Sequence, residues 1–172
     1  MKNHWSASLV ALLSCFFVVA CGTSKGTGDG WREYKYRSDG FAVSAPSKPI
    51  PLPPSDEHPN TRAYGLNYGN RTEVLIAAGT LGTWENLSDR EKLQRLKDLE
   101  VQGTSSKLIS DKEISLDGNP GIEYEIEGYV LHSRSRYFIV NDKIVALQSS
   151  APAGAPFSVD TDRIFDSLRL LK

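Results

Sequence analysis

Short turn motifs divide the chain beyond residue 30 into apolar-rich runs of strand length, and two stretches carry their apolar residues at helical spacing. Glu33 to Arg37 and Phe41 to Ala45 flank Asp39-Gly40, a dipeptide able to take positive φ, which predicts a hairpin. Arg62 to Tyr68 and Glu73 to Gly79 flank Gly69-Asn70-Arg71 and predict a second. Between these hairpins the proline-rich run from Pro46 to Asn60 predicts a loop without ladder donors. Ser88 stands three residues before Glu91, as in a capping box, and Asp89 also suits the positive end of a helix dipole. Leu93, Leu96 and Leu99 continue that helix as an apolar stripe, extended by Glu100-Val101, to a predicted stop at Gly103. Lys107 to Leu116, Gly121 to Gly128, Arg134 to Val140 and Lys143 to Ser149 then predict a four-stranded meander, turning through Asp117-Gly118-Asn119-Pro120 and Asn141-Asp142. A small loop from Ala151 to Phe157 leads to a last predicted helix over Asp160 to Leu171, where Ile164, Phe165, Leu168 and Leu171 recur at helical spacing.

Hairpins separated by two helices predict an α+β domain: an antiparallel sheet with two main helices packed on it. Trp31-x-Glu33-Tyr34 with Asp39-Gly40-Phe41-x-Val43-x-x-Pro46, then Asp117-Gly118-x-Pro120-Gly121, then Asp162-x-x-x-Phe165-Asp166-Ser167-Leu168-Arg169-Leu170 together resemble PsbP and Mog1-type domains. That resemblance spans nearly all of residues 31–172 and implies a PsbP/Mog1-like α/β/α sandwich. Its matching positions are turn and core residues, so it implies a fold and brings no catalytic set. Members of that group act by binding larger assemblies.

The first thirty residues follow a different pattern. Lys2 precedes an apolar run from Ser6 to Ala20, which is a signal-peptide layout. At about 15 residues the run is shorter than the roughly 20 a helix needs to span the hydrocarbon core. Val18-Val19-Ala20-Cys21-Gly22 resembles the lipobox of bacterial lipoproteins, in which cleavage leaves a cysteine whose thiol accepts the lipid. The expected organisation is therefore a signal peptide over 1–20, a flexible tether over 21–30 and a single domain over 31–172. Gly22 after the cysteine implies sorting to the outer membrane, facing the periplasm. The Gly- and Ser-rich tether cannot bury a core, and its nine residues after Cys21 reach about 15 to 18 Å on average.

Charge and composition narrow the partners. The chain has 172 residues and a formal charge of -1, without the cationic excess that drives nucleic-acid binding, so no nucleic-acid partner is expected. Cys15 would leave with the signal peptide, so Cys21 is the only thiol retained and no internal disulfide is expected. His58 and His132 are too few for a zinc site, and no Gly-x-Ser-x-Gly elbow occurs. His132 and Ser133, adjacent in a strand, point to opposite faces. Glu123, Glu125 and Glu127 share one face of a strand whose other face carries Ile122, Tyr124 and Ile126. Such a row could bind a cation or serve acid-base chemistry. The simpler expectation is a solvated face paired with Arg134 and Arg136 on the next strand.

Ser158 with Asp160 reads as a helix cap rather than part of a calcium loop. Trp84, Tyr64 and Tyr68 read as core or edge cover, and the Pro46 to Asn60 loop as the best candidate for a functional surface. No catalytic, cofactor-binding or metal-binding residue is expected, and lipidation at Cys21 is the one assigned chemistry. The sequence thus leads to the expectation of a lipid-anchored envelope protein whose domain binds without catalysis, docking on an envelope protein complex; a small-ligand carrier or sensor is the alternative. Cys21→Ala is expected to move the protein from the membrane to the soluble fraction, a shift that cell fractionation and immunoblotting would read directly.

Overall fold

Alternating strands bury one face, or both when covered on each side, and here nearly all the strand residues pair antiparallel into two sheets. The computed structural model describes residues 30–54, 60–68, 72–80, 84 and 86–171. Cys21, the signal segment and nearly all of the tether lie outside them. In chain order the elements are β1 (Arg32–Tyr36), β2 (Phe41–Ala45), β3 (Ile50–Pro51), β4 (Arg62–Tyr68), β5 (Thr72–Thr80), α1 (Asp89–Gly103), β6 (Lys107–Leu116), β7 (Asn119–Glu127), β8 (Leu131–Val140), β9 (Lys143–Pro152), α2 (Thr161–Asp166) and β10 (Arg169–Leu170). The larger sheet has seven strands in the order β3-β4-β5-β9-β8-β7-β6, and the smaller has three in the order β1-β2-β10.

The two faces of the larger sheet are covered differently. On one, α1 lays Leu93 and Leu96 against Ile122, Tyr124, Ile126, Tyr137, Ile139 and Ala146. On the other, Phe41, Val43 and Ala45 of β2 and Ile164 and Phe165 of α2 pack on Leu66, Ile76, Phe138 and Leu147. Each large apolar side chain so buried contributes about 1.5–3 kcal/mol. β9 lies between β5 and β8, and Ile144 through Ala151 are buried without a break. The fold is α+β, as expected, with antiparallel sheets and two helices.

Local signals placed the turns well. Gly40 takes φ 78°, Asp117 and Gly118 take 51° and 81°, and Asn141 and Asp142 take 50° and 60°. The capping box also forms: the Ser88 backbone N–H donates to Glu91 Oε2 at 2.8 Å, and the Glu91 N–H donates back to Ser88 Oγ at 3.4 Å.

Several boundaries differ from expectation, each for a physical reason. Gly103 does not stop α1 but ends it as a helical residue; Thr104 caps it, its hydroxyl donating to the Glu100 carbonyl at 2.7 Å, and the left-handed residue is Ser105 at φ 51°. Asn119 and Pro120 belong to β7 rather than to the turn. Pro120 pairs with Ser115 of β6, and pairing with β8 begins only at Gly121, so its missing N–H interrupts no ladder on that side. β8 starts at Leu131 and β9 runs to Pro152, both longer than expected. Within the proline-rich run, Ile50–Pro51 pairs with β4 as a short edge strand, and the Leu52 N–H donates to the Ala63 carbonyl at 2.8 Å; residues 55–59 lie outside the described residues.

The largest difference is at the C-terminus, where the expected helix over Asp160 to Leu171 stops at Asp166. The Ser167 hydroxyl donates to the Ile164 carbonyl at 2.7 Å and accepts the Ser44 N–H at 2.8 Å, and the chain then extends so that Arg169 and Leu170 pair with Ala42 and Phe41. Ladder bonds to β2 replace the helical bonds of a last turn.

Gly121 is required where β7 passes β8, because a Cβ there would lie 2.5 Å from a Phe138 ring carbon and 2.7 Å from the Tyr137 carbonyl. Gly121→Ala is expected to lower the unfolding free energy by about 1–3 kcal/mol, as overpacking does, read as an earlier midpoint in urea denaturation.

Candidate functional site

Strand alternation sends the odd-numbered acids of β7 and the even-numbered arginines of β8 to the same face, and the register sets Glu123 opposite Arg136 and Glu125 opposite Arg134. α2 crosses this face and adds Asp162 and Asp166. Two rows of alternating charge result. In the first, Lys112 Nζ lies 2.6 Å from Glu123 Oε1, Glu123 Oε2 accepts from Arg136 Nε, and Arg136 Nη1 donates to Asp166 Oδ1 at 2.8 Å. In the second, His132 Nε2 lies 3.6 Å from Glu125 Oε2, Arg134 Nε donates to Glu125 Oε1 at 2.6 Å, and Arg134 Nη1 donates to Asp162. The guanidinium of Arg136 also lies over the Phe165 ring and that of Arg134 over Phe157.

The expected pairing with β8 is present, but the expectation of a solvated face needs correction. Glu123 is only 8% exposed, held between Lys112 of β6 and Arg136 of β8. Burial alone would push its carboxyl up, yet the hydrogen bonds and charges of Lys112 and Arg136 outweigh this and hold it below the ordinary carboxylate range. Glu127 does not join the group: it is exposed at the strand end, between Lys107 and His132 in register. Lys112, Glu123, Glu125, Arg134, Arg136 and Asp162 border a polar concavity of about 280 Å³, edged by Ser110 and Asp111. Among the described residues no three His, Cys, Asp or Glu side chains converge as metal ligands.

A second polar cluster lies on the opposite face, wholly inside. Glu100, fully buried beneath α1, accepts from the hydroxyls of Tyr124 and Tyr137, from Ser135 Oγ at 3.4 Å and from Gln148 Nε2 at 2.7 Å. The Tyr124 and Tyr137 rings stack with centroids 5.8 Å apart. Burial raises the Glu100 carboxyl above its ordinary range even against these four donors, and burial together with the Glu100 charge raises both tyrosines well above theirs. Sequence reading carried Glu100 along as part of the apolar stripe and missed its role. The available signal was an acid in line with Leu93 and Leu96, opposite hydroxyl and amide residues that alternate onto one face of three strands.

Of the other residues marked in the sequence, Tyr64 and Trp84 belong to the core. Tyr64 is buried, with its hydroxyl donating to Asp39, itself paired to Arg62 at 2.9 Å; burial and that hydrogen bond push its hydroxyl up to about 12. Trp84 is buried under α1, and the Tyr68 side chain lies outside the described residues, as does His58. The His132 ring lies tilted against Phe157 with ring centroids 4.3 Å apart, whereas Ser133 hydrogen-bonds to Ser150 on the other face. Asp160 stands at the N-cap position of α2 without a side-chain cap bond; instead its N–H donates to Ser158 Oγ at 3.3 Å.

No family model and no curated protein sequence matches the chain. The backbone is similar to the solution structure of cyanobacterial PsbP (CyanoP) from Synechocystis sp. PCC 6803, with a TM-score of 0.58 and 12% sequence identity, over 87% of this chain and 98% of that one. This chain therefore has a PsbP-like fold. A crystal structure of a Pseudomonas aeruginosa protein of unknown function aligns with a TM-score of 0.42 at 12% identity, over 70% of this chain and 82% of that one.

The raised Glu100 carboxyl means that the native state binds more protons than the unfolded chain above about pH 4.3, the unfolded value. Stability linked to this group is full below that pH and is lost as pH rises through the higher folded value. Glu100→Gln keeps an acceptor for Gln148 and Ser135 without the buried charge. Its stability relative to the parent is expected to rise with pH from 4 to 8 in denaturant titrations, whereas Glu100→Leu strands four buried donors, each costing about 1–3 kcal/mol, and destabilises at every pH.

Proposed function

We propose that the chain is a membrane-anchored envelope lipoprotein, held at Cys21, whose PsbP-like domain binds or assists an envelope protein complex without catalysing a reaction. The observation that carries this reading is the state of the carboxylates at the polar concavity: Glu123 and Glu125 are each gripped by an arginine, and Asp162 holds Arg134 in turn. An acid-base pair at work needs one group free to gain or lose a proton beside a substrate. Here the charges are spent on one another and fasten α2 to the sheet. The concavity that remains is small and lined by both signs of charge, which suits a protein partner better than a reaction.

A second reading, a small-ligand carrier or sensor, has its own support. An open groove of about 720 Å³ runs between the first half of α1 and the β6–β7 strands, with Leu93, Ile114 and Ile122 in its wall and Arg90, Lys112 and Glu113 at its rim. Crosslinking in living cells, followed by affinity purification and mass spectrometry, distinguishes the two. Docking is expected to yield the same envelope protein reproducibly, with crosslinks in the domain. No reproducible protein partner, together with a co-purifying small molecule in native mass spectra, would replace the first reading with the second.

A further inference from the structure

Hairpin tips are usually built from residues that tolerate tight backbone geometry, and two tips here obey that rule with Asp117-Gly118 and Asn141-Asp142. The β7–β8 tip does not. It is closed by the Gly128 N–H donating to the Leu131 carbonyl at 2.7 Å, and its two central residues are Tyr129 and Val130, 103% and 72% exposed. Neither takes positive φ. An aromatic and a β-branched residue are poor turn formers, and side chains so exposed add nothing to the core. Folding gives no reason for them.

Their surroundings supply one. The Ala153 N–H donates to the Val130 carbonyl at 2.9 Å, which ties the β9–α2 loop to the tip. Farther along that loop the Phe157 ring lies tilted against His132, two residues from Val130, and Val159 is 94% exposed. Arg163, in the helix that follows Val159, places its guanidinium 3.9 Å from the ring centroid of Trp31. Trp31, next to the first described residue, thus packs on the helix that this loop leads into.

We propose that Tyr129, Val130 and Val159 form a lipid-contacting surface that enters the headgroup region of the bilayer holding the anchor. The inference rests on the lipoprotein reading. Tyrosine suits that position, with an apolar ring and a hydroxyl that stays wet. Three side chains would bind a bilayer weakly on their own, but a tether averaging about 15–18 Å keeps them at high effective concentration beside it. A bilayer also explains an apolar tip with no partner groove of its own.

The test uses the lipidated protein in phosphatidylethanolamine and phosphatidylglycerol vesicles containing a photoreactive phospholipid, with adducts mapped by mass spectrometry. Adducts are expected on residues 128–131 and 157–159 and not at the Asn141–Asp142 turn, which lies at the far end of β8, about 30 Å away at about 3.3 Å per residue. Tyr129→Ser with Val130→Ser, exposed positions that leave the core intact, is expected to cut those adducts severalfold without changing the vesicle-bound fraction. Adducts absent from the tip, or spread evenly over the domain, on a protein that remains vesicle-bound would overturn the lipid contact and leave the anchor standing. A lipid-processed protein that does not stay on vesicles would overturn both.

Discussion

A seven-stranded sheet whose central strand is buried on both faces must be covered on each side, and the rest of the chain is arranged around that demand. Ile144 to Ala151 of β9 are buried without interruption, so neither face can be left to water. One face is given to a single helix, α1. Apolar contacts alone would let such a helix slide or rotate over a smooth β surface, and Glu100 prevents this. Its carboxylate is satisfied only where Tyr124, Ser135, Tyr137 and Gln148, from three strands, converge on it. A buried charge is tolerable only when fully hydrogen-bonded, so the network selects one position of α1 and penalises the others.

The second face solves the same problem with separate pieces. β1, β2 and β10 seal the part nearest β4, β5 and β9, and α2 completes the cover over β8. Polar strand residues reach the surface under α2, and there two alternating rows of charge bind helix to sheet. Cross-strand ion pairs contribute about 0.2–1 kcal/mol each, less than the apolar contacts of Ile164 and Phe165, but their geometry orients a helix of six residues that could not hold its shape alone.

Function follows from what this construction leaves over, since a fold shared at low identity says little about activity. The charged rows are neutralised by their neighbours and the Glu100 cluster is sealed. The described residues also carry an apolar tip at one end of the sheet and an open groove bordered by Gly121 and Pro120 at the other.

Turns, the α1 cap and the alternation of β7 were legible because each is a local property: Asp-Gly and Asn-Asp take positive φ readily, Ser88 and Glu91 are three residues apart, and Ile122, Tyr124 and Ile126 share a face whatever lies opposite. The roles of Glu100, Arg169 and Glu123 were not legible, because each depends on a distant segment. Glu100 is meaningful only against three strands that follow it, Arg169 becomes strand only by pairing with Ala42, and Glu123 is buried between Lys112 and Arg136, which come from the strands on either side. The amino-acid sequence by itself determined the order and type of most elements, since propensity and short motifs act over a few residues. Only the tertiary structure decided which acids are sealed, which are neutralised and which apolar residues stay in water, because burial and charge pairing are set by what the folded chain brings across from each side chain.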